Sequence, residues 1–145
     1  MELKELMPLI QEKLSQGKTV RFSPLGISML PMLRQREDSV VLSAAPKRLK
    51  KYDLPLYIRD NGKYILHRVI AAGDTYICCG DNQFVYEPGV RQDQILALVT
   101  GFYRKDKYYS VNNPLYRTYC VLWHHSRPLR YFYRRGKGWL RRHLK

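Results

Sequence analysis

Apolar residues change their spacing twice along the chain. Leu3, Leu6, Met7, Ile10 and Leu14 recur every three or four residues, with Glu2, Lys4, Glu5, Glu12 and Lys13 on the other side. This spacing predicts a short amphipathic helix, started or kinked by Pro8 and stopped at Gly17. From Lys18 onward the apolar residues come in short runs divided by turn residues. Lys18–Phe22, Ser39–Leu42, Leu54–Arg59, Lys63–Ala71, Thr75–Cys79, Ile95–Arg104 and Lys107–Val111 are the predicted strands. Asn61-Gly62 is a strong hairpin signal, and Lys105-Asp106 marks a second hairpin. From Asn112 the pattern is lost, and arginines alternate with seven aromatic residues, interrupted by Pro128, Gly136 and Gly138. The expected organisation is a helix over 1–17, a mainly β domain over 18–111 and a basic, partly helical tail over 112–145.

The length of 145 residues suits one domain with a modest core, and 45% hydrophobic residues argue against disorder. The net charge of +14 changes the picture, because it favours an anionic partner. Nine Lys or Arg and no Asp or Glu fall between Leu115 and Lys145. With Trp123, Tyr131, Phe132 and Trp139 among them, this segment suits an anionic membrane surface. Nucleic acid is the competing partner, since basic residues interleaved with aromatics also fit phosphate contact and base stacking. The plainer alternative is a solvated tail docked on its own domain.

Cys78, Cys79 and Cys120 cannot all pair, and none lies in a CxxC. They read as reduced thiols, in a reducing compartment, with no metal or cofactor implied. No run approaches the roughly 18 apolar residues of a membrane span, and the amino terminus MELKELMPLI lacks a signal-peptide core. The expectation is a cytoplasmic chain, at most peripheral at the inner membrane face.

Two residues stand out against this background. Ser28 is a lone hydroxyl in GISMLPML, between Gly26 and Pro31. Held on a turn beside a base, such a serine is a nucleophile, and its own N–H is available to a developing oxyanion. Capping a short helix from Met29 is the plainer role. His67 lies in the strand-like YILHRVI, where alternation puts it on one face with Ile65 and Val69. It is the natural general base, although a hydrogen-bonded core histidine is the commoner case.

Gly26-x-Ser28-Met29-x-Pro31-x-Leu33, Asp38-x-Val40, His67-Arg68-Val69-Ile70 and Gly80-Asp81-Asn82 follow one another in order. This succession resembles the boxes of the signal peptidase I family, which shares its fold with the LexA-type self-cleaving repressors. The similarity covers roughly Val20 to Phe102. It implies a serine endopeptidase on a compact, largely β fold that cleaves a peptide or protein substrate. Ser28 matches the family's nucleophile. His67 stands where many members have lysine, as in the branch that pairs serine with histidine and an orienting aspartate.

For the third member the resemblance points first to Asp81. Glu87 stands six residues on, where that branch has a further aspartate, and Asp93 is a distant candidate. An Asp81 that serves only its own turn is the alternative. Gly26, Ile27, Met29 and Pro31, with Ser28 itself, are the expected oxyanion and substrate-binding segment. Leu25, Ile27, Met29 and Leu30 are candidates to line pockets for small or apolar side chains. Two other readings share the fold: a repressor-like or nucleic-acid-binding regulatory domain, and a relative that recognises a peptide without cutting it. The first lacks room for a DNA-binding domain before residue 20 and has His67 in place of the lysine.

Overall fold

A computed structural model describes residues 3–143, so Glu2 and Lys145 of the patterns above lie outside the described residues. Helix α1 (Leu3–Ser15) buries Met7, Ile10 and Leu14 along one face. Pro8 sits inside it rather than at its start, because Leu3 and Leu6 also pack against the core and hold the first turn. Past Gly17, whose positive φ ends the helix, the chain enters β1 (Val20–Phe22).

The remaining strands are β2 (Asp38–Ala44), β3 (Pro55–Ile58), β4 (Tyr64–Leu66), β5 (Arg68–Ala72), β6 (Tyr76–Cys79), β7 (Glu87–Val90), β8 (Ile95–Arg104) and β9 (Lys107–Ser110). They form two antiparallel sheets. The larger runs β1-β2-β8-β3-β4, with β9 also on β8; the smaller is β5-β6-β7. β8 is the spine of the larger sheet, pairing with β2 along most of its length, with β3 at its start and with β9 at its end.

The predicted strand Lys63–Ala71 is in fact two strands. β4 pairs with β3 in the larger sheet, β5 pairs with β6 in the smaller, and His67 is the residue between them. Alternation nevertheless survives the break. Ile65 and Val69 pack in the apolar cluster around Tyr57 and Tyr76, whereas Leu66 joins the cluster under α1. β7 had no counterpart in the strand pattern, because Pro88 and Gly89 disguise it as a loop.

The segment from Asn112 is helical, and its first half is part of the domain rather than an appendage. α2 (Pro114–His125) starts at Asn113, whose side chain accepts from the backbone N–H groups of Leu115 and Tyr116. It buries Tyr116 and Cys120 in the core. α3 (Arg127–His143) follows after Ser126.

Arg68 and Asp81 join these parts. The guanidinium of Arg68 meets both Asp81 oxygens at 2.8 and 2.9 Å, with each side chain at most 2% exposed. Its other N–H groups donate to the Tyr52 carbonyl, the Tyr116 hydroxyl and the sulfurs of Cys120 and Met32. Tyr119 adds a hydrogen bond to Asp81 at 2.7 Å. Burial opposes charge on both groups. The pairing more than reverses it, so the pKa of Arg68 is raised and that of Asp81 is lowered.

Because a buried cation without its partner is costly, Asp81→Asn should destabilise the protein by about 3–5 kcal/mol. The urea unfolding midpoint reads this directly. Adding Arg68→Met to Asp81→Asn should recover part of the loss.

Candidate active site

The turn that carries Ser28 is fixed at both ends. Gly26 takes a φ of +95°, which a residue with a Cβ adopts only with strain, and its N–H donates to the Gln35 side chain. At the far end, Asp38 accepts from the Arg34 backbone and guanidinium and from the Lys105 N–H. Burial would raise the Asp38 pKa, but these hydrogen bonds lower it to about 2. Between them Ser28 is half-buried, followed by buried Met29 and a cis Leu30–Pro31 peptide.

The Gly80-Asp81-Asn82 segment holds the middle of this turn. The Asn82 N–H donates to the Ser28 carbonyl at 2.9 Å, and its side-chain amide donates to the Ile27 carbonyl at 3.0 Å. The Asp81 N–H points at the Met29 sulfur. A Cβ at position 80 would lie 2.7 Å from the Ser28 carbonyl oxygen, so only glycine lets the two segments approach this closely.

Ser28 and His67 line one cleft of about 960 Å³. Its walls come from β1 and the segment after it on one side and from β4 on the other, with Leu3, Lys4 and Leu6 of α1 also lining it. Leu25 and Met29 line it as expected. Ile27 is 62% exposed instead, and Leu30 is half-buried. Pro31 is exposed, and its carbonyl accepts from Arg104, so it shapes the turn from outside the cleft.

His67 is only 6% exposed. Burial, and next the positive charge of Arg59, lower its pKa to about 4, against smaller opposing effects of Glu87 and then Asp81. Both carboxylates act on the ring through space. Asp81 does not orient His67: its oxygens are taken by Arg68 and Tyr119. The physical reason is alternation. Arg68 turns inward to Asp81, so the preceding residue is directed away from it.

Glu87 is the stronger of the two influences, but it too is engaged, accepting from Arg59 at 2.8 and 3.0 Å and from the Tyr57 hydroxyl at 2.7 Å. Asp93 lies at the surface, paired with Arg91. Sequence reasoning missed Arg59 and Tyr57. The available signal is their i, i+2 spacing, with Tyr57 on β3 and Arg59 just past its end, which places them on one face.

Cys78, Cys79 and Cys120 are buried and free. Burial raises the pKa of each, that of Cys78 to about 12, so these thiols are poor nucleophiles. Among the described residues no group of three or more His, Cys, Asp or Glu is placed to hold a metal ion. Likewise no described helix is long and apolar enough to cross a membrane. Comparison of the chain with family models, curated proteins and solved structures finds no match.

Two measurements test this geometry. The imidazole of His67 should titrate near pH 4 by NMR, and Arg59→Gln should move the midpoint upward while Glu87→Gln moves it further down. Since the unfolded imidazole binds its proton near 6.5, the folded state gains stability as pH rises from about 4 to 6.5 and loses it in the reverse direction. Gly80→Ala should push the serine turn away, seen as lost hydrogen-exchange protection of the Asn82 amide.

Proposed function

We propose that the chain is a serine endopeptidase of the signal peptidase type, on the compact β fold that these enzymes share with the self-cleaving repressors. The observation that supports this most is the common cleft of Ser28 and His67, with the serine turn clamped by the Gly80-Asp81-Asn82 segment. Buried and neutral above about pH 4, His67 is in the protonation state that accepts a proton from the Ser28 hydroxyl.

In the proposed reaction the Ser28 oxygen attacks the scissile carbonyl as His67 takes the hydroxyl proton. The oxyanion is met by backbone N–H groups of the turn, that of Ser28 first. Collapse breaks the C–N bond, and the imidazolium returns its proton to the leaving amine. Water then repeats the sequence on the acyl-enzyme, releasing the new carboxylate and the serine. The machinery is a Ser28–His67 dyad, with the imidazolium stabilised through space by Glu87 and Asp81.

The substrate is an extended peptide. β1 and β4 are the two ends of the larger sheet's strand order, and both contribute to the cleft walls. Each leaves one side of its backbone open to an added strand. Phe22, Leu25, Met29 and Ile65 around the cleft favour small or apolar side chains over charged ones.

Ser28→Ala should abolish both peptide cleavage and labelling by a fluorophosphonate probe. His67→Ala should lower the labelling rate by about 10⁴-fold or more, the usual scale for losing such a group. Equal labelling of wild type and Ser28→Ala would end the proposal.

A further inference from the structure

We infer that α3 is an interfacial helix that docks the protein on an anionic phospholipid surface through its outer, apolar face. The inference rests on the helix itself and is independent of the peptidase reading.

Leu129, Phe132, Tyr133, Trp139 and Leu140 stand at i, i+3, i+4, i+10 and i+11, so they share one face of α3. All five are exposed, from 48% for Leu140 to 76% for Leu129. The opposite face is turned to the body. There Arg127 donates to the Gly80 and Gln83 carbonyls, Arg130 to the Asp81 carbonyl and Arg134 to the Asn82 side chain. These contacts fix the rotation of the helix, so its apolar face is held outward.

The flanks of that face are basic. Lys137 and Arg141 lie on one side and Arg135 and Arg142 on the other, all exposed. No acidic residue occurs between Leu115 and Lys145. Apolar side chains between two cationic rims match a bilayer boundary, where the chains enter the acyl region and the cations meet lipid phosphates. Trp139 and Tyr133 suit that boundary as well.

The two other occupants fit less well. A second copy of the chain would bring like-charged rims together. Nucleic acid would find the outward face apolar, with Arg127, Arg130 and Arg134 already engaged inward.

Full-length protein should float with vesicles of mixed phosphatidylcholine and phosphatidylserine, and not with phosphatidylcholine alone. Added salt should weaken the binding. Phe132→Ser should reduce partitioning about tenfold or more, and Arg142→Gln about fivefold. Leu129→Ser is the second apolar-face variant, and unchanged circular dichroism and urea unfolding show that either variant is folded. No binding to the mixed vesicles at low salt would overturn the inference. So would binding that both folded serine variants leave intact, a dimer that depends on Phe132, or Phe132-dependent binding of single-stranded RNA without vesicle binding.

Discussion

The buried pair of Arg68 and Asp81 is the constraint on which the rest of the structure depends. Two charges removed from water are tolerable only when the pairing geometry is good and the remaining donors and acceptors are satisfied. Here a two-pronged contact supplies the first, and Tyr52, Tyr116, Tyr119 and two sulfurs supply the second. Those partners come from the serine turn, the segment before β3 and helix α2, with β5 and the turn after β6 carrying the pair itself. The pair therefore sets where both sheets and the carboxy-terminal helices meet. It also bears on the direction of His67, which links β4 to β5 and directly precedes the inward-pinned Arg68.

The same geometry divides the labour of the two carboxylates. Asp81 belongs to the scaffold; its neighbour Asn82 grips the carbonyls of Ile27 and Ser28, and Gly80, lacking a Cβ, lets the two segments approach. Glu87 belongs to the electrostatics of the imidazole, where Arg59 outweighs it. The net result is a base that stays neutral far below the ordinary histidine range. A ring of this kind is available as a proton acceptor over a wide pH span but is a weak one until charge develops beside it. An oxyanion forming at the serine turn is such a charge, which makes the low pKa compatible with the proposed step.

Much of this was legible in the residues. The α1 face, both hairpins and most strands follow from period and turn chemistry, because those signals are local. Ser28 and His67 were singled out from their settings, and both line the cleft. The errors share one physical origin, tertiary partners that no local pattern encodes. Lys63–Ala71 reads as one strand because its apolar residues continue through His67, although the chain changes sheets there. Glu87–Val90 is a strand because β6 offers it an edge, despite Pro88 and Gly89. The resemblance points from His67 first to Asp81 because a motif gives residue order and not direction; the adjacent Arg68 claims both its oxygens.

The carboxy-terminal segment shows the same limit in its charge. Counting cations between Leu115 and Lys145 treats them alike, and the fold does not. Arg127, Arg130 and Arg134 close over the carbonyls and side chain of the 80–83 loop, and Arg130 also lies 3.9 Å from the Trp123 ring centre. Trp123, grouped by sequence with the candidate membrane aromatics, donates its indole N–H to Asp81 and faces the body. What remains outward is a smaller, ordered set with an apolar centre and basic margins. Asn82 touches both Arg134 of α3 and the carbonyls of Ile27 and Ser28. One residue thus joins α3 to the serine turn, its side chain meeting Arg134 and Ile27 and its backbone N–H meeting the Ser28 carbonyl, so the placement of the helix and that of the turn share a single anchor.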